Sequence, residues 1–116
     1  MDPGLMLSGR LTTQVAFDAE VLVPDGYGGQ DRSWNEAFRA RAQIRYQSGR
    51  EAVEAGGLTG TASFKVRIRR QDAVDALTTD YRMRDLNEDL VFNIREIDRV
   101  TDRKFVWLVV ENGVAV

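Results

Sequence analysis

Residues 23–30 read Val23-Pro24-Asp25-Gly26-Tyr27-Gly28-Gly29-Gln30, a glycine-dense turn that decides the fold because a strand pattern flanks it on each side. Gly26, Gly28 and Gly29 can adopt positive φ without a Cβ clash, and Pro24 fixes φ ahead of the bend. The stretch is too long for a two-residue turn. It therefore predicts a long β-hairpin with an exposed, glycine-rich tip.

The segments on both sides of this turn alternate between apolar and polar residues. Before the turn, the apolar positions are Val15, Phe17, Ala19, Val21 and Val23. After it, they are Trp34, Phe38, Ala40, Ala42, Ile44 and Tyr46. A period of two is typical of half-buried strands, so each set is expected to face the interior.

Further strand patterns continue to the end of the chain. Residues 62–69 alternate cleanly, residues 81–84 form a short strand with Tyr81 and Met83 inward, and residues 90–100 change face near Ile97. Residues 104–111 are almost continuously apolar, which predicts a central strand or one whose outer face a partner covers. No long amphipathic helix alternates with these strands. The pattern predicts an all-β fold, a small antiparallel β-barrel or sandwich of five to seven strands with one short helix in a long loop.

The domain organisation is predicted as an N-terminal arm, residues 1–10, followed by a single β-barrel domain, residues 11–116, with an inserted loop at residues 47–60. In that loop Ser48 and Glu51 resemble a capping box for a short helix over residues 50–55, which two glycines would end. The arm carries Leu5-Met6-Leu7, which either folds back on the barrel or docks on a neighbouring subunit.

Composition argues against a catalytic or metal-binding protein. The chain of 116 residues contains no cysteine and no histidine, so the commonest general base and the thiolate and imidazole metal ligands are missing. We therefore predict no enzyme, no catalytic residues, no metal site and no cofactor. No apolar run approaches the roughly 20 residues that span a bilayer, and the first residues lack a signal-peptide pattern. These patterns predict no membrane partner and a location in the cytoplasm or in a particle assembled there.

Basic residues line the polar sides of two strands and predict a basic face. Its members are Arg39, Arg41, Arg45, Lys65, Arg67 and Arg69. One interpretation is contact with a phosphate backbone, and the other is a solvated face or ion pairing between subunits. The net charge of −2 favours the second interpretation, and we expect no aromatic residues to interleave with this stripe, as a platform for stacking single-strand bases would require.

Several segments, read in order, resemble the head–tail joining (stopper) proteins of long-tailed bacteriophages and of phage-like gene transfer agents. They are residues 11–17, residues 24–29, Ser33-Trp34, residues 42–45, residues 48–51, residues 64–69, residues 92–94, and Asp102-Arg103 ahead of Trp107-Leu108. The similarity covers residues 9–112, and its specificity comes from the ordered combination rather than from one motif.

This resemblance implies a β-barrel that forms a ring, six-fold or alternatively twelve-fold, between the portal–adaptor assembly and the tail of the virion. Double-stranded DNA would pass through the lumen without sequence recognition, and residues 47–60 would project inward as a gating loop. The loop positions concerned are Ser48, Arg50, Glu51, Val53, Glu54, Gly56, Gly57 and Leu58.

The same resemblance implies contacts with the portal or adaptor ring, and with a tail terminator or tail tube protein. The candidate contact residues are Leu5, Met6, Leu7, Asp25, Tyr27 and Gly28. The particle would be assembled in the bacterial cytoplasm. Two alternatives remain open: another ring of the same junction, such as an adaptor or a tail terminator, and a small-barrel nucleic-acid-binding module.

Overall fold

The computed structural model describes residues 12–54 and 57–112, and the side chains of residues 12–48 and 62–112. Six strands and one 3-10 turn form in this part of the chain. In order they are β1 (Thr13–Pro24), β2 (Gln30–Glu54), β3 (Gly57–Arg69), the 3-10 turn (Asp72–Ala76), β4 (Arg82–Asp85), β5 (Leu90–Asp98) and β6 (Phe105–Asn112). All neighbouring strands are antiparallel, and they close into a barrel in the order β1-β2-β3-β6-β5-β4. The predicted all-β class is confirmed, and the architecture is the barrel.

The length of β2 determines the outline of the molecule. Its residues 30–42 pair with β1, its residues 42–54 pair with β3, and only Ala42 pairs with both. Each hairpin therefore extends beyond the barrel, and the two extensions leave from opposite ends. We call residues 19–35 the upper arm, and residues 50–54 with 57–61 the lower arm.

The lower arm corrects the expected helix over residues 50–55. β2 continues to Glu54 and pairs with Gly57, so Arg50, Glu51 and Val53 are strand residues. A helix of six residues is marginal because few hydrogen bonds offset the cost of its first turn. Extension of an existing antiparallel ladder adds backbone hydrogen bonds without that cost, so strand pairing wins over the local capping signal.

Apolar side chains from all six strands fill the barrel. The fully buried members include Val15, Phe17, Val66, Ile68, Met83, Phe92, Ile94, Leu108 and Val110. Val74 and Leu77 of the 3-10 turn segment cover the end of the barrel from which the upper arm leaves. The Arg99 guanidinium donates to the carbonyls of Val74 and Leu77, which ties this cover to the end of β5.

A β-bulge changes which face of β2 points inward. The β1–β2 register shifts between Phe17 and Asp18, where Phe17 faces Phe38 and Asp18 faces Glu36, so Ala37 is the extra residue. Phe38 stacks on Phe17 inside the barrel, with ring centroids 4.8 Å apart. Because a bulge reverses the side-chain alternation, Trp34 shares the outer face with Glu36, and its predicted inward position is wrong.

We predict that Phe17→Ala lowers the free energy of unfolding by about 3–5 kcal/mol, because it removes a stacked, fully buried ring and leaves a cavity. Leu22→Ala is the matched control on the same strand, since Leu22 is 57% exposed, and its effect should stay within about 0.5 kcal/mol. Urea unfolding followed by circular dichroism measures both. Equal losses would contradict the assignment of the core.

Candidate functional site

The upper arm ends in a loop that its own side chain organises. The Asp25 carboxylate accepts hydrogen bonds from the backbone N–H groups of Tyr27 (2.7 Å) and Gly29 (3.1 Å). Gly26 and Gly28 have φ near +85°, a region that glycine adopts without strain. Tyr27 is 94% exposed, so this ordered tip presents an aromatic side chain to the solvent. The structure thus brings together Asp25, Tyr27 and Gly28, whereas Leu5, Met6 and Leu7 lie outside the described residues.

The lower arm contains most of the positions predicted as a gating loop. Ser48 is exposed at its base, and the ladder continues through the pairs Glu51–Gly60 and Val53–Leu58 to Glu54–Gly57. Gly56 lies outside the described residues. A register shift between Tyr46 and Ser48, with Gln47 as the extra residue, places a bulge just before the arm. The candidate element is a strand ladder that leaves the barrel at a bulge.

The basic face divides into two parts. Arg39 forms an ion pair with Glu36, because its Nε lies 3.0 Å from a carboxylate oxygen of that residue. The other five side chains share the outer surface of paired strands, and we call this surface the cationic wall: Arg41, Arg45, Lys65, Arg67 and Arg69. Within it Arg45 faces Lys65 directly across the ladder, and Gln43 faces Arg67.

Aromatic residues interleave with the cationic wall, contrary to the expectation from sequence. β6 pairs with β3, so Trp107 lies opposite Arg67 and Phe105 lies opposite Arg69. The Arg67 guanidinium carbon is 4.3 Å from the Phe105 ring centroid, and the Lys65 Nζ is 5.4 Å from that of Trp107. Both rings belong to β6, which is distant in sequence from β3, so the residue pattern of β2 and β3 does not predict their position.

Two aspartates beside this wall accept hydrogen bonds from the backbone of the β5–β6 turn. Asp98 accepts the backbone N–H groups of Thr101 and Val100, and these hydrogen bonds lower the pKa of Asp98. Asp102 accepts that of Lys104, which is the largest cause of its lowered pKa. Their carboxylates therefore hold the turn in shape, and they carry negative charge beside the wall.

A buried carboxylate lies on the opposite side of the barrel, where β1 meets β4. Asp18 is only 2% exposed and accepts hydrogen bonds from Arg84 Nε (2.7 Å) and Arg82 Nε (2.8 Å). Arg84 also reaches Glu36 at 2.9 Å, and Arg82 lies over the Trp34 ring, 4.6 Å from its centroid. Burial by itself raises the pKa of Asp18, but the two arginines outweigh that effect and lower it. Sequence reasoning missed this cluster, because only closure of the barrel brings β1 and β4 together.

The described residues contain neither a cluster of metal-ligating side chains nor a helix long and apolar enough to cross a membrane. In residues 12–54 and 57–112 no group of three acidic, histidine or cysteine side chains is arranged to hold a metal ion. No helix in the same ranges has the length and apolar character to cross a bilayer.

Comparison with known proteins gives a consistent result. The family model for phage head completion proteins matches residues 6–113. A chain from the virion of a native gene transfer agent particle superposes with a TM-score of 0.69 at 20% identity, over 92% of this chain and 98% of that one. Protein SF1141 from Shigella flexneri 2a superposes with a TM-score of 0.67 at 17% identity, over 93% and 97% of the two chains. No curated protein matches by sequence.

We predict that Asp18→Asn lowers the free energy of unfolding by about 2–3 kcal/mol at neutral pH. The change leaves two guanidinium groups without their buried anion, and both are partly exposed, which keeps the loss below that of a fully buried pair. Arg95→Gln is the control, because it breaks an exposed pair with Glu111 and should cost at most about 1 kcal/mol. Urea titration compares them, and equal effects would contradict a structural role for the cluster.

Acid should destabilise the fold through Asp18, Asp98 and Asp102, whose pKa values are all lowered in the folded chain. The unfolded chain then binds more protons, so their contribution is complete above about pH 4 and is lost as the pH falls through the lower folded pKa values. Urea midpoints measured from neutral to acidic pH should therefore decrease, and less steeply for Asp18→Asn. A pH-independent midpoint would refute this assignment.

Proposed function

The chain belongs to the family of phage head completion proteins, and we propose from this premise that it acts as a head–tail connector that forms a ring and lines the passage for double-stranded DNA. The family match over residues 6–113 carries this proposal, since it makes the chain a structural protein of the virion, at the head–tail junction. Such a protein acts by assembly and docking, without a chemical step.

The proposed gate is the lower arm. It is the part of the β2–β3 ladder that continues past the β3–β6 pair Ala62–Asn112, so it projects from one end of the barrel. Glu51 and Glu54 give this arm two carboxylates, which repel a phosphate backbone more than they grip it. In a ring, several such arms would converge on the axis and narrow the lumen.

The proposed contact with a neighbouring component is the upper arm. Its tip is ordered by Asp25 before any partner binds, so less conformational entropy is lost on docking. An exposed tyrosine is among the residue types that most often anchor protein interfaces. The arm leaves from the end opposite to the lower arm, so it suits a contact with an adjoining layer of the junction, the portal or adaptor ring or the tail terminator or tail tube protein.

Shortening the lower arm tests the gate. Residues 53–58 are replaced by Asn-Gly, which joins Ala52 to Thr59, already a cross-strand pair, through a two-residue hairpin turn. Particles that carry this variant should contain it in parental amounts, because the barrel is unchanged, but heads collected before tail joining should lose nuclease-protected DNA several-fold. Gel analysis of the particles and nuclease protection give the two readouts.

The matched control shortens the other arm. Asn-Gly replaces residues 24–30 and joins the paired residues Val23 and Asp31. This variant should keep its DNA and lose tail joining. Unchanged DNA protection in particles that incorporate the lower-arm variant would rule out the gate. If that variant fails to fold, Glu51→Gln with Glu54→Gln in an intact arm provides the second test, with altered DNA retention expected.

A further inference from the structure

The cationic wall contains an arrangement that works against the stability of the sheet. Arg45 and Lys65 are direct cross-strand neighbours, and like charges in that position repel each other. Arg67 and Arg69 follow Lys65 at every second position along β3 on the same face. Repulsion of this kind persists in a folded chain at a cost, and an anionic ligand would relieve it.

Several arginines outside the wall are matched by carboxylates. Elsewhere Arg32, Arg39, Arg82, Arg84 and Arg95 each form an ion pair with a carboxylate. In the described part of the chain no carboxylate oxygen lies within 4.0 Å of the charged nitrogens of Arg41, Arg45, Lys65 or Arg69. The nearby Asp98 and Asp102 accept backbone N–H groups, and their negative charges also attract Lys65 and Arg67. Within the described residues these four cations therefore have no carboxylate at ion-pair distance, which makes them available to an external anion.

We propose that the cationic wall binds the phosphodiester backbone of double-stranded DNA. Cations at alternate positions of a strand repeat about every 6.8 Å, and the adjacent strand offers a second row about 4.8 Å away. The duplex presents one negative charge per roughly 1.7 Å of its axis, so a regular array of this kind meets phosphates along its whole length.

The aromatic residues favour a duplex over a single strand. Phe105 has Arg67 and Arg69 over its ring, at 4.3 Å and 5.5 Å from the centroid, and Trp107 has Lys65 and Arg67 near its own. Single-strand binding uses open ring faces on which bases stack, and here cations lie over these faces. The rings instead hold the cations in place, which reduces the entropy that they lose on meeting a phosphate.

This inference rests on the proposed passage of DNA through a ring and assigns the face that meets it. The lower arm is a direct continuation of the Arg45–Lys65 ladder, so the wall lies at the base of the arm. Phosphate contacts of this kind carry no sequence information and allow a protein to slide along DNA. They are thus compatible with transit as well as with retention.

The test measures binding of the isolated full chain to a labelled duplex of mixed sequence, by fluorescence anisotropy over a series of salt concentrations. With four to five phosphate contacts, the logarithm of affinity should fall against the logarithm of salt with a slope of about −4. Arg45→Gln with Lys65→Gln should weaken binding at least about tenfold and reduce the slope by about 2. The control, Arg32→Gln with Arg95→Gln, removes the same charge from ion-paired positions and should leave the slope unchanged.

Several results would overturn the proposal. The parent chain could fail to bind the duplex at low salt, or the two double variants could lose equal affinity. The chain could also bind poly-glutamate in place of the duplex, which would make the wall a docking surface for an acidic protein. The Arg45 and Lys65 variants should melt at or above the parental temperature, because they remove a repulsion, and Arg69→Gln provides an independent variant. The assay needs no ring, so its failure together with arm-dependent DNA retention in particles would leave the connector role intact.

Discussion

The short ladder between β1 and β4 is the constraint on which the rest of the barrel depends. β4 has only four residues, yet it alone joins β1 to β5 and so closes the sheet. The buried Asp18 carboxylate lies over this seam and receives Arg82 and Arg84 from β4. A buried ion pair is not automatically stabilising, but once formed it penalises any arrangement that separates its partners. Asp18 therefore favours closure by β4 over any arrangement that separates it from Arg82 and Arg84.

The outer surface consequently carries its charges in two different ways. Around Asp18 the arginines are matched by the carboxylates of Asp18 and Glu36, so the charges there are balanced within the fold. On β2 and β3 cations face each other and have aromatic rings beside them. A net charge of −2 conceals this division, because a formal sum over the chain says nothing about where opposite charges meet.

The sequence predicted those features that depend on local pattern. Alternation in β1 and β3 and the apolar run of β6 identified the strands and most of the core, and Asp25 to Gly29 identified the hairpin tip. Prediction from the sequence was wrong where the position of a residue depends on the strand that it pairs with. Trp34 lies outside because of a bulge at Ala37, and residues 50–54 form a strand because β3 offers them a ladder. Phe105 and Trp107 lie opposite arginines of β3 only because of the β3–β6 register. All three features depend on which strands pair and in which register, and the alternation within a single strand does not predict that pairing.

Both arms begin at a β-bulge, and this common feature connects the fold to the proposed role. The upper arm starts at the shift between Phe17 and Asp18, and the lower arm at the shift between Tyr46 and Ser48. A bulge bends its strand and increases the local twist, so each arm leaves at an angle set by one extra residue. The pairs beyond each bulge remain intact, so each arm keeps its own ladder of backbone hydrogen bonds past the bend. The proposed gate is therefore a paired strand ladder, whereas an unpaired loop would have to be ordered each time the passage closes.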